Sequence, residues 1–176
     1  MAVDHVKSTF VTNADASPSI ANTAGEGGPG VIKAIEGSAL GVISSSIDAT
    51  YQFVRVPSNS KIKKIWFESA AQTGGALDLG LYYATDGEGG KPTALLAAAA
   101  IDQDFFASAI VVSTTVSAIE VENESGTYTI DKRTQPLWQA VGLTTDPGGY
   151  FDIVGTVTTA FTTAAGRMGL EVLYTD

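Results

Sequence analysis

Between residues 76 and 85 the chain reads ALDLGLYYAT, a strict alternation that suits an extended strand and not a helix. Successive side chains of a strand point to opposite faces, so Leu77, Leu79, Leu81 and Tyr83 share one side. Asp78, Gly80 and Tyr82 share the other. One of the two adjacent tyrosines must therefore leave the first core face, either for a second buried face or for an interface. From residue 31 onward the same vocabulary recurs in VIKAIEG, ALGVISS, TYQFVRVP and KIKKIWFES, all rich in β-branched and aromatic residues. Simple alternation in YQFVRVP sets Tyr51, Phe53 and Arg55 against Gln52, Val54 and Val56.

Turns punctuate these segments at Pro57-Ser58-Asn59, AQTGG (71–75), ESG (124–126), DPGG (146–149) and AAG (164–166). Further strand chemistry follows in IVVSTTVSAIEV, GTYTID, PLWQAVGL, YFDIVGTVTTAF and MGLEVLYT. One stretch breaks the pattern. Residues 93–110, TALLAAAAIDQDFFASAI, are rich in helix formers, and Asp102 or Asp104 is placed to cap a short helix carrying Phe105 and Phe106. The expectation is an all-β fold, a sandwich or jelly roll over residues 31–176, with at most one short helix.

Residues 1–30 differ in kind. VTNADASPSIANTAGEGGPG is small, polar and without period, which fits an extended N-terminal arm. Val3, Val6, Phe10, Val11 and Ile20 are spaced as pegs for successive pockets. A disordered tail or a strap over its own domain fits the same residues. Gly25, Gly27, Gly28, Pro29 and Gly30 then mark the hinge between arm and domain, glycine for a sharp change of direction and proline to limit its swing.

Catalytic chemistry finds little to work with. The glycine runs GEGGPGVIK and DGEGGKP lack the Lys-Ser/Thr that a phosphate loop needs: Lys91 is followed by Pro92, and Lys33 adjoins no glycine. His5, the sole histidine, lies in the arm, so a Ser-His-Asp relay has no fixed base, and no histidine cluster exists for a metal. Cysteine is absent, which removes disulfides and thiolate sites. Glu68, Asp78, Asp102, Asp104, Glu120, Glu122, Glu124 and Asp152 could supply a carboxylate pair for glycoside hydrolysis, but no spacing selects two of them. Glu120 to Glu124 lack the ligand order of a calcium loop and read as a solvated acidic edge that deters strand pairing. No catalytic residue, cofactor or metal is expected.

Partners are bounded by charge. A formal net charge of −9 leaves no basic stripe for nucleic acid, and Lys61, Lys63 and Lys64 are too few to offset it. No apolar run reaches the length of a membrane span or a signal peptide. Trp66 and Trp138 lie in the apolar runs KIWF and PLWQAV, which places both in the core.

MAVDHVKST, NTAGEGGPGV, YQFVRVPSN and QPLWQAVGLTTDPGGYFDIVGTVTTA, in that order along most of the chain, resemble a family of small virion structural proteins of tailed bacteriophages and prophages. The resemblance implies a protein that decorates or cements the head. It also implies a location on the capsid surface after synthesis in the bacterial host's cytoplasm. Its partners would be the major capsid protein and neighbouring copies of itself, a trimer being the simplest symmetric oligomer. Arm residues Val3, His5, Val6, Phe10 and Val11 are the expected contacts. A tail, baseplate or fibre-associated module that binds a host glycan is the alternative.

Overall fold

The computed structural model describes residues 31–42, 45–84, 100–162 and 166–176. Eight strands run β1 (Lys33–Leu40), β2 (Thr50–Pro57), β3 (Lys61–Ser69), β4 (Ala76–Tyr83), β5 (Ala100–Val111), β6 (Val116–Glu120), β7 (Tyr150–Thr159) and β8 (Arg167–Thr175). They form two four-stranded antiparallel sheets, ordered β1-β8-β3-β6 and β2-β7-β4-β5. Four of the pairings, β4 with β5, β3 with β6, β2 with β7 and β1 with β8, are the rungs of one long hairpin. Rolling that hairpin over itself adds the contacts β3–β8 and β4–β7 and closes two Greek keys, the jelly-roll arrangement.

The two inner faces supply one continuous core. Ile62, Ile65, Phe67, Met168, Leu170 and Val172 come from the first sheet. Tyr51, Phe53, Leu77, Leu79, Leu81, Phe151, Ile153 and Val157 come from the second. At one seam the edge strands β1 and β2 meet: a Cβ on Gly37 would run into the backbone carbonyl of Phe53. Only a residue without a side chain lets the two edges approach so closely.

Bulges set which residues face inward. Between Gln52 and Val54 the β2–β7 register shifts. Phe53 and Val54 are therefore both buried, and Arg55 joins Gln52 on the outer face instead of siding with Tyr51 and Phe53. A shift between Ile62 and Lys64 turns Ile62 and Ile65 inward together and leaves Trp66 facing out. Trp66 and Trp138 are half-buried, Trp138 packing against the main core and Trp66 facing out, a correction to the reading from their apolar neighbours.

The expected helix over 93–110 is a strand from Ala100 onward; residues 93–99 lie outside the described residues. Helix propensity loses here because Phe105, Phe106 and Ala107 are buried against the sheet and the aromatic ring of Tyr128. The strand is irregular: its pairing with β4 slips at three places, and its backbone passes directly over Gly80. Asp78 holds this irregular path. Its carboxylate accepts hydrogen bonds from the Ala109 N–H (2.8 Å) and the Gln103 Nε2 (3.0 Å), and Ala109 sits at φ 52°.

Of the segments expected as strands, ALGVISS is strand only to Leu40, its residues 43–44 lying outside the described residues, and two more are not strands. GTYTID forms turns, with Tyr128 buried and its hydroxyl donating to the Ile62 carbonyl at 3.1 Å. Burial pushes that phenol well above its ordinary range. PLWQAV contains a four-residue helix, α1 (Leu137–Ala140), which Pro136 opens. The N–H groups of Leu137 and Trp138 donate to the carbonyls of Ser60 and Ser58, so α1 is fastened to the β2–β3 turn. That turn is also tied to DPGG: Asp146 accepts from the Ser58 hydroxyl (2.6 Å) and the Gly148 N–H (2.8 Å), with Gly148 at φ 70°.

Candidate interaction surfaces

Of the carboxylates weighed for catalysis the fold brings Asp102 and Asp104 together on β5, and most of the others have structural partners elsewhere. Asp152, fully buried, accepts from Arg55 Nε (2.6 Å), Arg55 Nη2 (2.9 Å) and Gln52 Nε2 (2.5 Å). Glu122, also buried, pairs with Arg133 (2.9 Å) and lies 3.8 Å from Lys64. Glu120 pairs with Lys64, and Glu124 accepts the Ser108 N–H at 2.7 Å. Within 120–124 Glu120 and Glu124 are exposed beside edge strand β6, as a solvated edge requires, and only Glu122 departs from that reading by being buried with Arg133. Among the described residues no group of three or more His, Asp or Glu could hold a metal ion, and no helix is long and apolar enough to cross a membrane.

The lysine cluster is likewise engaged. Besides the Lys64 pairs, Lys63 Nζ donates to the Arg133 carbonyl at 3.2 Å. Desolvation, followed by repulsion from Lys61 and Arg133, lowers the Lys63 pKa.

The outer face of the second sheet is closed over. Tyr82 and Val154 are buried there, and the Tyr82 and Thr156 hydroxyls share a hydrogen bond of 2.6 Å. The adjacent tyrosines thus divide between two buried faces, Tyr83 packing on the main core with Phe151.

The outer face of the first sheet is open. Cross-strand register sets Glu36, Glu171, Trp66 and Glu120 in one row, and Ser38, Gly169 and Glu68 in the next. Gly169 contributes no side chain, and a cavity of about 470 Å³ lies over it, walled by Trp66 and Arg167. Arg167 donates to the Ser38 hydroxyl at 3.0 Å. Exposed aliphatic residues gather elsewhere, at Val31 and Ile32 just before β1 and at Leu40 and Val42 at its far end. β1 is an edge strand of its sheet.

The expected arm contacts Val3, His5, Val6, Phe10 and Val11, and the hinge Gly25, Gly27, Gly28, Pro29 and Gly30, lie outside the described residues. So does the second glycine run, DGEGGKP. The groove around Trp66 was missed in the sequence because the bulge that turns Trp66 outward leaves no mark in an apolar run.

No family model and no curated protein matches this chain. Among solved structures it is similar to a chain of the capsid of Ralstonia phage GP4, with a TM-score of 0.56 and 14% identity over 83% of this chain and 84% of that one. It is also similar to a chain of the cyanophage Pam1 capsid asymmetric unit, with a TM-score of 0.51 and 17% identity over 83% of this chain and 85% of that one. At these identities the shared property is the fold.

Proposed function

We propose that this chain is a non-enzymatic structural protein of a bacteriophage virion, which decorates the capsid and stabilises it by binding the lattice of the major capsid protein. The observation that carries this reading is the jelly roll shared, over most of both chains, with proteins that stand in two phage capsids. The exposed aliphatic residues flanking β1 support it, since unburied apolar surface is what a lattice contact uses. Residues 1–30 serve as an arm whose pegs Val3, His5, Val6, Phe10 and Val11 reach a capsid or neighbouring subunit, swinging on the glycine hinge. Many equivalent sites on an icosahedral shell favour a trimer on a threefold axis.

Phage particles assembled with the full chain or with residues 1–30 deleted test this directly. The density is expected on the outer shell, and the deletion is expected to lower both occupancy and the temperature at which the shell opens. Density confined to the tail, or unchanged occupancy after deletion, would overturn the reading or its arm. One observation favours the alternative of a tail-associated glycan binder: Trp66 borders an open groove, where a sugar face could stack.

A further inference from the structure

We propose that the trough over Gly169 binds an extended basic segment of another protein, seating an Arg or Lys side chain between the Trp66 indole and the carboxylates of Glu36, Glu68 and Glu171. This concerns what the groove binds, wherever in a particle the protein stands.

The trough crosses the sheet rather than following a strand, with lining residues on all four strands from Ser38 on β1 to Ala118 on β6. Three inter-strand steps make it about 14 Å long, the reach of roughly four extended residues. The floor is open only because residue 169 is glycine. Its position is roomy: a Cβ there would lie 3.5 Å from a Glu68 carboxylate oxygen, an ordinary contact. Glycine is therefore not demanded by packing at this site, in contrast to Gly37 and Gly80, where backbone blocks any side chain.

Electrostatics sets the sign of the occupant. Glu36 stands directly opposite Glu171 across the β1–β8 ladder, an arrangement that destabilises a sheet. None of Glu36, Glu68 and Glu171 forms an ion pair among the described residues, whereas Glu120 and Glu122 nearby both have cations. The one cation lining the trough, Arg167, hydrogen-bonds Ser38. An incoming guanidinium or ammonium relieves the repulsion and also lies within reach of the indole, which attracts cations to its face. A neutral sugar would use the indole but leave the carboxylate repulsion in place.

The test uses the full chain carrying Trp138→Phe, so that Trp66 alone reports. It is titrated with a capped Arg-Gly-Arg-Gly peptide, with its Glu counterpart and with a neutral N-acetylglucosamine trimer. The Arg peptide is expected to change Trp66 emission saturably, with affinity falling about tenfold between about 50 and 300 mM salt. Gly169→Leu, which fills the trough, is expected to abolish that response while melting normally. The double change Glu36→Gln and Glu171→Gln is expected to weaken binding about tenfold and to raise the Tm. Where Trp138→Phe impairs folding, calorimetric titration of the unmodified chain replaces fluorescence. No saturable response to the Arg peptide, an equal response to the Glu peptide, or indifference to Gly169→Leu would each overturn the proposal. A response to the sugar alone would transfer the groove to glycan binding. None of these outcomes bears on capsid occupancy, which the particle experiment decides separately.

Discussion

Asp102 and Asp104 lie two residues apart on β5, where two carboxyl groups face a common problem. Burial, and then hydrogen bonding to Asp104 and its charge, raise the pKa of Asp102 from its ordinary value of 3.8. A carboxyl whose pKa is raised by folding favours the native state while protonated. That contribution is complete below the ordinary value and is lost as pH climbs through the raised one. Asp102→Asn, permanently neutral, is therefore expected to raise the Tm at pH 7 by a few degrees and to change it little at pH 3. Thermal melts of both proteins across that range measure the difference, and a gap that widens toward acid would refute the assignment. Asp152 matters through its bonds. It is fully buried and bonded by Arg55 and Gln52, so Asp152→Ala is expected to cost about 2–3 kcal/mol in urea unfolding, Arg55 being partly exposed. Neither role could be read from sequence, where all the acids looked alike.

Strand β5 shows how an element can defy its composition. Its alanines and its aspartates spell a capped helix, yet it completes a sheet by bulging over Gly80 and being tied down by Asp78. A side chain at 80 would meet the backbone of Asp102 and Gln103 at well under contact distance, so main chain and not a flexible side chain would have to shift. Gly80→Ala is expected to cost at least about 2 kcal/mol, while Gly169→Ala, on the open face, is expected to stay within about 0.5 kcal/mol of the parent. Chemical denaturation of the two variants side by side checks this; equal losses would mean that β5 does not ride over β4 as described. The contrast marks what was legible. ALDLGLYY announced its faces outright because β4 sits centrally and is unbulged within its alternation. Gln52/Arg55 and Ile62/Ile65 did not, because one inserted residue per bulge inverts every later assignment without changing local composition. Trp66, and with it the candidate groove, was hidden by that single inversion.

At the level of the whole molecule, the sandwich class was legible and its wiring was not. Short apolar segments between Gly and Pro turns require two layers to bury their inner faces, so the class follows from pattern alone. Which strands pair depends on contacts far apart in the chain, such as Gly37 against Phe53 and Asp78 against Ala109, and no local periodicity encodes them.

The pairing of β1 with β8 carries a topological consequence. Lys33 is paired with Tyr174 in the ladder and bonded to Asp176, so the chain enters and leaves this fold at the same point. A short glycine linker from Asp176 to Lys33 would close residues 33–176 into a ring, and the exposed turn at Thr114–Thr115 offers a place to cut it open again. Such a circular permutant should keep both sheets, because no rung of the long hairpin depends on where the backbone is interrupted. What the fold requires is the cyclic order of its strands, and its ends are free to lie at any exposed turn of that circle.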